Sequence, residues 1–258
     1  MYIHFYKYQG AGNDFVIIDG RHYKPELTTE QIKFLCDRRF GIGADGLMLL
    51  GLHSAYDFEM IYFNSDGNES TMCGNGGRCL VAFAQKIAVI KHKTTFMAVD
   101  GLHLAEILDN NWVSLKMLDV SEIEIHENSY FLNTGSPHYV QFTNNLENKD
   151  VYSDGKKIRY SERFKNAGTN VNFVEIQDNK LFVRTYERGV ENETLACGTG
   201  VTAAALASVL QTNSSATSFD IKALGGNLKV FFEKQGSGFK NIWLQGPATF
   251  VFEGNIEI

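Results

Sequence analysis

The chain has 258 residues and a net charge of −6, with 44% apolar and 21% charged residues, the balance of a globular protein built around its own core. Its basic residues form no long run, which argues against a nucleic-acid partner, and no stretch of roughly 18 apolar residues is present to cross a membrane. The opening Met1-Tyr2-Ile3-His4-Phe5 carries no apolar leader with a small-residue cleavage site, so the expected location is the cytoplasm, where thiols stay reduced.

In chain order, Gly10-Ala11-Gly12 has the look of a dinucleotide-binding fragment but lacks a βαβ setting, and reads as a turn. A strand over 15–19 follows, then an amphipathic helix over about 30–38 capped by Thr28 or Thr29. The β-rich run 58–63 leads through a polar loop to Cys73, and glycines then open a helix over about 78–89, apolar on most sides. Strands are expected at 102–108 and 112–117, and beyond a charged connector at 119–129 at 138–142, 172–176 and 181–186. Cys197 then precedes a second helix, about 201–210, whose only polar residues are Thr202 and Ser208. Such a helix is apolar nearly all round and therefore buried. Strands at 228–233, 241–245 and 249–252 end the chain.

The sequence repeats itself. Asn68-Glu69-Ser70-Thr71-Met72-Cys73-Gly74-Asn75-Gly76 and Asn192-Glu193-Thr194-Leu195-Ala196-Cys197-Gly198-Thr199-Gly200 share the pattern N-E-[ST]-x-x-C-G-x-G, at an offset of 197 − 73 = 124. At the same offset Tyr62 falls on Tyr186, Asn64 on Arg188, Phe15-Val16 on Tyr139-Val140, Leu47 on Val171 and Asp14 on His138. The expected fold is α+β: two pseudo-symmetric domains, each a barrel-like, mostly antiparallel sheet around a central buried helix. The halves are 1–118 and 119–246, with the strand at 247–258 returning to the first. A pseudo-twofold axis is expected to bring the two cysteine loops together at the domain interface, where ligand sites form.

The chemistry follows from those loops. A cysteine at a helix start meets backbone N–H groups without intrahelical partners and the positive end of the helix dipole. Its thiolate is favoured there, and the N–H groups of Gly74, Asn75 and Gly76, or of Gly198, Thr199 and Gly200, can cradle a carboxylate. An amino acid held by both loops has its α-carbon flanked by two sulfurs. Charge released to its carboxylate is stabilised where it develops, one cysteine acts as base, and the other returns a proton to the opposite face. Cys36 and Cys79 read instead as small buried hydrophobes. His138 alone reads as a packed or surface histidine; since Asp14 and His138 pair at the offset, each is expected to support one of the two cysteines. No metal-ligand spacing is found among the four cysteines.

Taken with Gly10-Ala11-Gly12-Asn13-Asp14-Phe15, Arg39-Phe40-Gly41-Ile42-Gly43-Ala44-Asp45-Gly46, Phe63-Asn64-Ser65-Asp66-Gly67, Met72-Cys73-Gly74-Asn75-Gly76-Gly77-Arg78-Cys79, Thr169-Asn170-Val171-Asn172-Phe173 and Glu187-Arg188-Gly189-Val190, the chain resembles the diaminopimelate epimerase family over essentially its whole length. The resemblance implies interconversion of L,L- and meso-diaminopimelate, on the route to lysine and peptidoglycan, without pyridoxal phosphate or any other cofactor. It implies Cys73 and Cys197 as the catalytic pair, and Gly74, Asn75, Gly198 and Thr199 on the reacting carboxylate. Asn13, Asn64, Asn170 and Arg188 would hold the distal amino-acid end, with Glu187 near the reacting amino group. A homodimer is the usual assembly. The family's N-P-H tripeptide reads Ser136-Pro137-His138 here, which keeps a hydroxyl but gives up reach and a donor at the distal end.

Two alternatives share the fold. A proline or hydroxyproline racemase would want a more apolar pocket than the distal polar set provides, and a phenazine-biosynthesis isomerase lacks the cysteine pair. A non-catalytic amino-acid-binding protein would have no need of both cysteines and Glu187. A redox switch joining Cys73 to Cys197 is a fourth alternative.

Overall fold

A computed structural model describes residues 1–258, which form 17 strands and four helices. The chain divides into two compact units: Met1–Leu115 together with Gly246–Ile258, and Lys116–Gln245. The first part of the chain makes β1 (Tyr2–Gly10), β2 (Asn13–Asp19), α1 (Thr29–Cys36), β3 (Gly46–Gly51), β4 (Phe58–Asn64), α2 (Gly74–Lys86), β5 (Lys93–Ala98), β6 (Gly101–Ile107) and β7 (Trp112–Lys116). Then come β8 (Ile123–His126), β9 (Ser129–Asn133), β10 (Pro137–Phe142), α3 (Val151–Arg159), β11 (Asn170–Gln177), β12 (Lys180–Glu187), β13 (Asn192–Thr194), α4 (Gly198–Thr212), β14 (Ser218–Ala223), β15 (Gly226–Gln235), β16 (Gly238–Pro247) and β17 (Thr249–Glu257).

Within the first unit the strand order is β17-β1-β2-β3-β4-β5-β6-β7, antiparallel except for the parallel pairs β2/β3 and β4/β5. Within the second it is β8-β9-β10-β11-β12-β14-β15-β16, antiparallel except for β10/β11 and β12/β14, with the short β13 also on β12. Strand by strand the two sequences of pairings are the same. Each sheet curls round one helix: α2 packs on β1, β2, β3, β6 and β17, and α4 on β9, β10, β11, β12, β14 and β15. Curling buries both faces of the inner strands, so β3 (Gly-Leu-Met-Leu-Leu-Gly) is buried at every residue and reads as an unbroken apolar run. The central helices are lined with small residues, above all the Ala203–Ala205 run of α4, which lets the surrounding strands approach closely.

The helices explain themselves locally. Thr28 caps α1 in a capping box with Gln31. Gly10-Ala11-Gly12 is the β1–β2 hairpin turn, with positive φ at Ala11 and Gly12. Both central helices begin earlier than the apolar pattern suggests, at Gly74 and Gly198, so the glycines lie inside the first turn. The outer helix α3 went unforeseen: it is weakly apolar and carries Gly155 at its centre, where a Cβ would fall 2.4 Å from the Cβ of Tyr186. The charged stretch read as a connector contains β8 and the start of β9.

Strand register corrects the ungapped repeat. Ile17, Met48 and Tyr62 lie side by side in the first unit, as do Tyr139, Val171 and Tyr186 in the second. Tyr62 and Tyr186 keep the offset of 124, as do the helix starts, 198 − 74 = 124. Val171, however, occupies the place of Met48 rather than Leu47, and Tyr139 the place of Ile17 rather than Phe15. His138 therefore matches Val16, not Asp14.

Candidate active site

In the first unit the chain leaves β4 at Asn64, turns through Gly67 and the Phe63–Glu69 bridge, and reaches Cys73 at the N-cap of α2. Cys73 has extended backbone (φ −89°, ψ 129°), and its carbonyl takes the first helical hydrogen bond, from Gly77 N–H at 2.7 Å. The first-turn N–H groups of α2 have no partner within the helix. Beside the sulfur stands Asn13, at the β2 end of the hairpin turn. Asn13 Oδ1 lies 3.6 Å from Cys73 Sγ and accepts from Asn75 Nδ2 at 3.3 Å, while Asn13 Nδ2 donates to Asp45 Oδ2 at 2.5 Å. Asp45 is in turn held by Arg38 at 2.8 Å.

Asp14 does not reach the cysteine. Its carboxylate pairs with Lys7 at 2.7 Å and Arg38 at 2.6 Å. Burial alone would raise its pKa, but the hydrogen bonds from Arg38 and Lys7 outweigh that and hold the carboxyl down at about 2. Asp14 thus stiffens the β2–β3 junction, and its expected support of Cys73 passes only through Asp45 and Asn13. Burial pushes the thiol of Cys36 up to about 11 and that of Cys79 to about 12, which keeps both protonated and inert.

In the second unit Cys197 is the N-cap of α4, in the same extended geometry (φ −113°, ψ 112°), with its carbonyl accepting from Val201 N–H at 2.9 Å. Thr199 Oγ1 lies 3.5 Å from Cys197 Sγ and 2.8 Å from His138 Nε2. His138 is fully buried; burial, helped by the charge of Arg188, lowers its pKa to about 3, so the ring is neutral at physiological pH. Asn172 Nδ2 donates to His138 Nδ1 at 3.0 Å, which places the ring proton on Nε2, aimed at Thr199. Asn172 is fixed by Thr185 Oγ1, which donates to its Oδ1 at 2.9 Å. The hydroxyl of Thr199 can then serve the sulfur as donor or acceptor. His138 thus reaches the sulfur of Cys197 through the hydroxyl of Thr199.

A second cluster gathers the polar ends of β11 and β12. Asn170 Nδ2 donates to Ser136 Oγ at 2.9 Å, and Asn170 Oδ1 accepts from Arg188 N–H at 2.9 Å. Arg188 Nη2 lies 3.4 Å from Ser136 Oγ, and its Nη1 donates to Ala167 O at 3.0 Å. Ser136, the departure from N-P-H, is thereby tied to two of the four residues expected at the distal end. Glu187 accepts from Thr194 Oγ1 at 2.8 Å.

Asn13 and Asn75 therefore join Cys73, and Thr199 with His138 joins Cys197; Asn170, Arg188 and Ser136 form a group of their own, and Asn64 stands exposed at the end of β4. Sequence reasoning missed Asn172, although it lies two residues beyond Asn170 and so shares its face of the strand. It also missed Arg78, which gave no signal beyond being an arginine in an apolar helix. No group of three or more His, Cys, Asp or Glu side chains is gathered so as to hold a metal ion, and no helix is long and apolar enough to cross a membrane.

Residues 5–121 and 130–251 match the family model described as diaminopimelate epimerase. The diaminopimelate epimerase of Flavobacterium psychrophilum is 56% identical over 253 residues, covering 97% of this chain and 99% of that protein. That of Chlorobaculum tepidum is 44% identical over 260 residues, covering 96% and 99%. In three dimensions the chain is similar to a phenazine biosynthesis protein of the PhzF family from Bacillus anthracis, with a TM-score of 0.73 over the whole of both chains at 14% identity, a likeness of fold.

Proposed function

The chain belongs to the diaminopimelate epimerase family, and on that premise we propose that it interconverts L,L- and meso-diaminopimelate by proton transfer between two cysteines and the α-carbon, without a cofactor. The observation that carries this reading is the placement of Cys73 and Cys197 at matching N-caps of the two buried central helices. One thiolate takes the α-proton. The electron pair left on carbon delocalises into the carboxylate, where the first-turn N–H groups of Gly74 and Asn75, and of Gly198 and Thr199, stabilise it. The other thiol then delivers its proton to the opposite face, and the configuration inverts. The reverse reaction exchanges the two roles.

The distal amino-acid end is assigned to Asn13, Asn64, Asn170 and Arg188, with Ser136 holding Asn170 and Arg188 in place, and the reacting amino group to Glu187. Asn170, Arg188 and Ser136 gather polar and charged groups in one cluster, which favours a substrate with a second polar end. Each of the units 1–118 (with 247–258) and 119–246 is read as one half of the epimerase, and the active form as a cytoplasmic homodimer, which light scattering at twice the chain mass would support.

The test is proton exchange. Reduced protein, free of pyridoxal phosphate, is incubated with L,L-diaminopimelate in deuterated water beside Cys73→Ser and Cys197→Ser. The expected result is meso product with deuterium at one α-position, and loss of turnover in both variants. Exchange with proline or another amino acid but not with diaminopimelate would replace the substrate, and no exchange with any amino acid would refute an epimerase.

A further inference from the structure

Arg78, the fifth residue of α2, is fully buried. Its Nη1 donates to Gly74 O at 3.2 Å and its Nη2 to Asn75 Oδ1 at 2.8 Å, while its Nε has no acceptor. These acceptors are neutral. A guanidinium stays protonated in a protein, and a buried charge facing only neutral groups is strongly disfavoured. The side chain folds back over the first turn of its own helix, toward the N-cap at Cys73.

The acidic groups on the surrounding elements are otherwise engaged. Asp14 is held by Lys7 and Arg38, Asp45 by Arg38 and Asn13, and Glu106 by Lys93. Asp100 binds His103 and the N–H of Met72, and Glu253 and Glu257 of β17 are exposed to solvent. The other cation of α2, Lys86, lies over the ring of Phe250. Cys79 and Cys73 are the neighbours whose ionised forms would stabilise Arg78, and Cys79, with its thiol pushed up to about 12, stays neutral. Cys73 is the group left to balance the arginine. The contact of Cys73 Sγ with Asn13 Oδ1 suits the thiol form and works the other way, but at 3.6 Å it is a long bond between neutral groups, set against a full charge in a dry interior.

The second unit carries no charge at the matching helix position. At the helix offset, 78 + 124 = 202, stands Thr202, fully buried, whose Oγ1 donates to Gly198 O at 2.9 Å. Cys197 faces the hydroxyl of Thr199 and, behind it, the neutral ring of His138. Arg188, the cation felt by His138, is exposed, so solvent weakens its effect on Cys197 relative to that of a fully buried charge.

We propose that Arg78 is a positioning residue for the reaction: the buried cation that makes Cys73 the resting thiolate and leaves Cys197 the resting thiol. This rests on reading the two cysteines as the proton-transfer pair. The two halves then share a shape but not a charge, and the free enzyme waits in one of its two protonation forms.

The experiment is thiol alkylation by iodoacetamide as a function of pH, read by peptide mass and without substrate, so that it stands apart from any assay of turnover. In the Cys197→Ser protein the titration midpoint of Cys73 is expected at least ~1 pH unit below that of Cys197 in the Cys73→Ser protein. Adding Arg78→Met to the first background should raise the Cys73 midpoint and slow its alkylation at pH 7 about tenfold. Arg78→Lys should retain most of the low midpoint, and Arg78→Met should leave the Cys197 profile unmoved. Coincident midpoints, a lower midpoint for Cys197, or a Cys73 midpoint indifferent to Arg78→Met would each overturn the proposal. The first comparison keeps Arg78 in place, so it holds even if the methionine variant does not fold.

Discussion

Gly76 and Gly200 are the third residues of the two central helices and match at the offset of 124, yet alanine should act differently at each. A Cβ on Gly200 would fall 2.3 Å from Asn172 Oδ1, and 3.3 Å from both Cβ and Sγ of Cys197. Asn172 cannot simply swing aside. It donates to His138 Nδ1 and to Tyr139 O at 3.2 Å, and accepts from Thr185, all in the buried interior. Moving it by about an ångström breaks two of these bonds, and each buried group left without a partner costs roughly 1–3 kcal/mol. Alanine returns at most about 1 kcal/mol through its helix propensity. Gly200→Ala should therefore destabilise the protein by roughly 2–4 kcal/mol. At Gly76 the added Cβ meets Met48 Sδ at 3.2 Å and the edge of Phe15 at 3.4 Å. The thioether is flexible, so Gly76→Ala should stay within about 1 kcal/mol of the parent. Urea unfolding of the three proteins at one pH checks this. A Gly200→Ala protein as stable as Gly76→Ala would refute the claim that the Asn172 network is rigid.

Three further outcomes are expected. His138 titrates at about 3 in the folded protein against an ordinary 6.5, so the unfolded chain binds a proton that the folded one refuses, and stability falls with pH from 6.5 down to about 3 at up to ~1.4 kcal/mol per pH unit. His138→Gln should flatten that slope in urea midpoints between pH 7 and 4, and an unchanged slope would contradict it. Arg184 grips Glu193 with two bonds of 2.6 and 2.8 Å and donates to Leu146 O and Lys149 O. Arg184→Ala should lower stability by about 2 kcal/mol or more, with Arg184→Lys recovering less than half because it lacks the planar fork; full recovery in thermal unfolding would count against this account. Finally, iodoacetamide at pH 7.5 should modify half-buried Cys73 well before Cys36 or Cys79, and equal labelling by peptide mass would show that burial does not protect the latter pair.

The sequence was most legible where chemistry fixes spacing. The loop from Tyr62 to Cys73 and its partner from Tyr186 to Cys197 keep one length because each must deliver a cysteine to a helix start, and the elements around them follow. Legibility failed in the strands buried on both faces. In β3 every residue is apolar, so no alternation fixes the register, and a slip of one residue leaves no mark on the pattern. That is how Leu47 came to stand for Met48, and Asp14 for a counterpart of His138. The outer helix α3 was hidden by Gly155, a helix breaker retained because Tyr186 leaves no room for a side chain. Arg78 and Asn172 could not be found from composition, since their meaning lies in what surrounds them after folding: one a charge among neutral acceptors, the other the hub between Thr185 and His138.

The antiparallel pairing of β17 with β1 has a consequence for biosynthesis. Thr249 lies opposite Gln9 and Glu257 opposite Tyr2, so the sheet around α2 takes strands from two distant stretches of the chain. A ribosome delivers the whole of Lys116–Gln245 before it makes Gly246–Ile258. The unit made second thus has all its strands first. The unit made first must wait with the β1 edge of its sheet uncovered, and with the α2 that carries Cys73 short of one of its walls, until the last segment arrives. Folding while synthesis proceeds should therefore run against sequence order, and the interval before β17 docks is when the exposed β1 edge is most open to pairing with another chain.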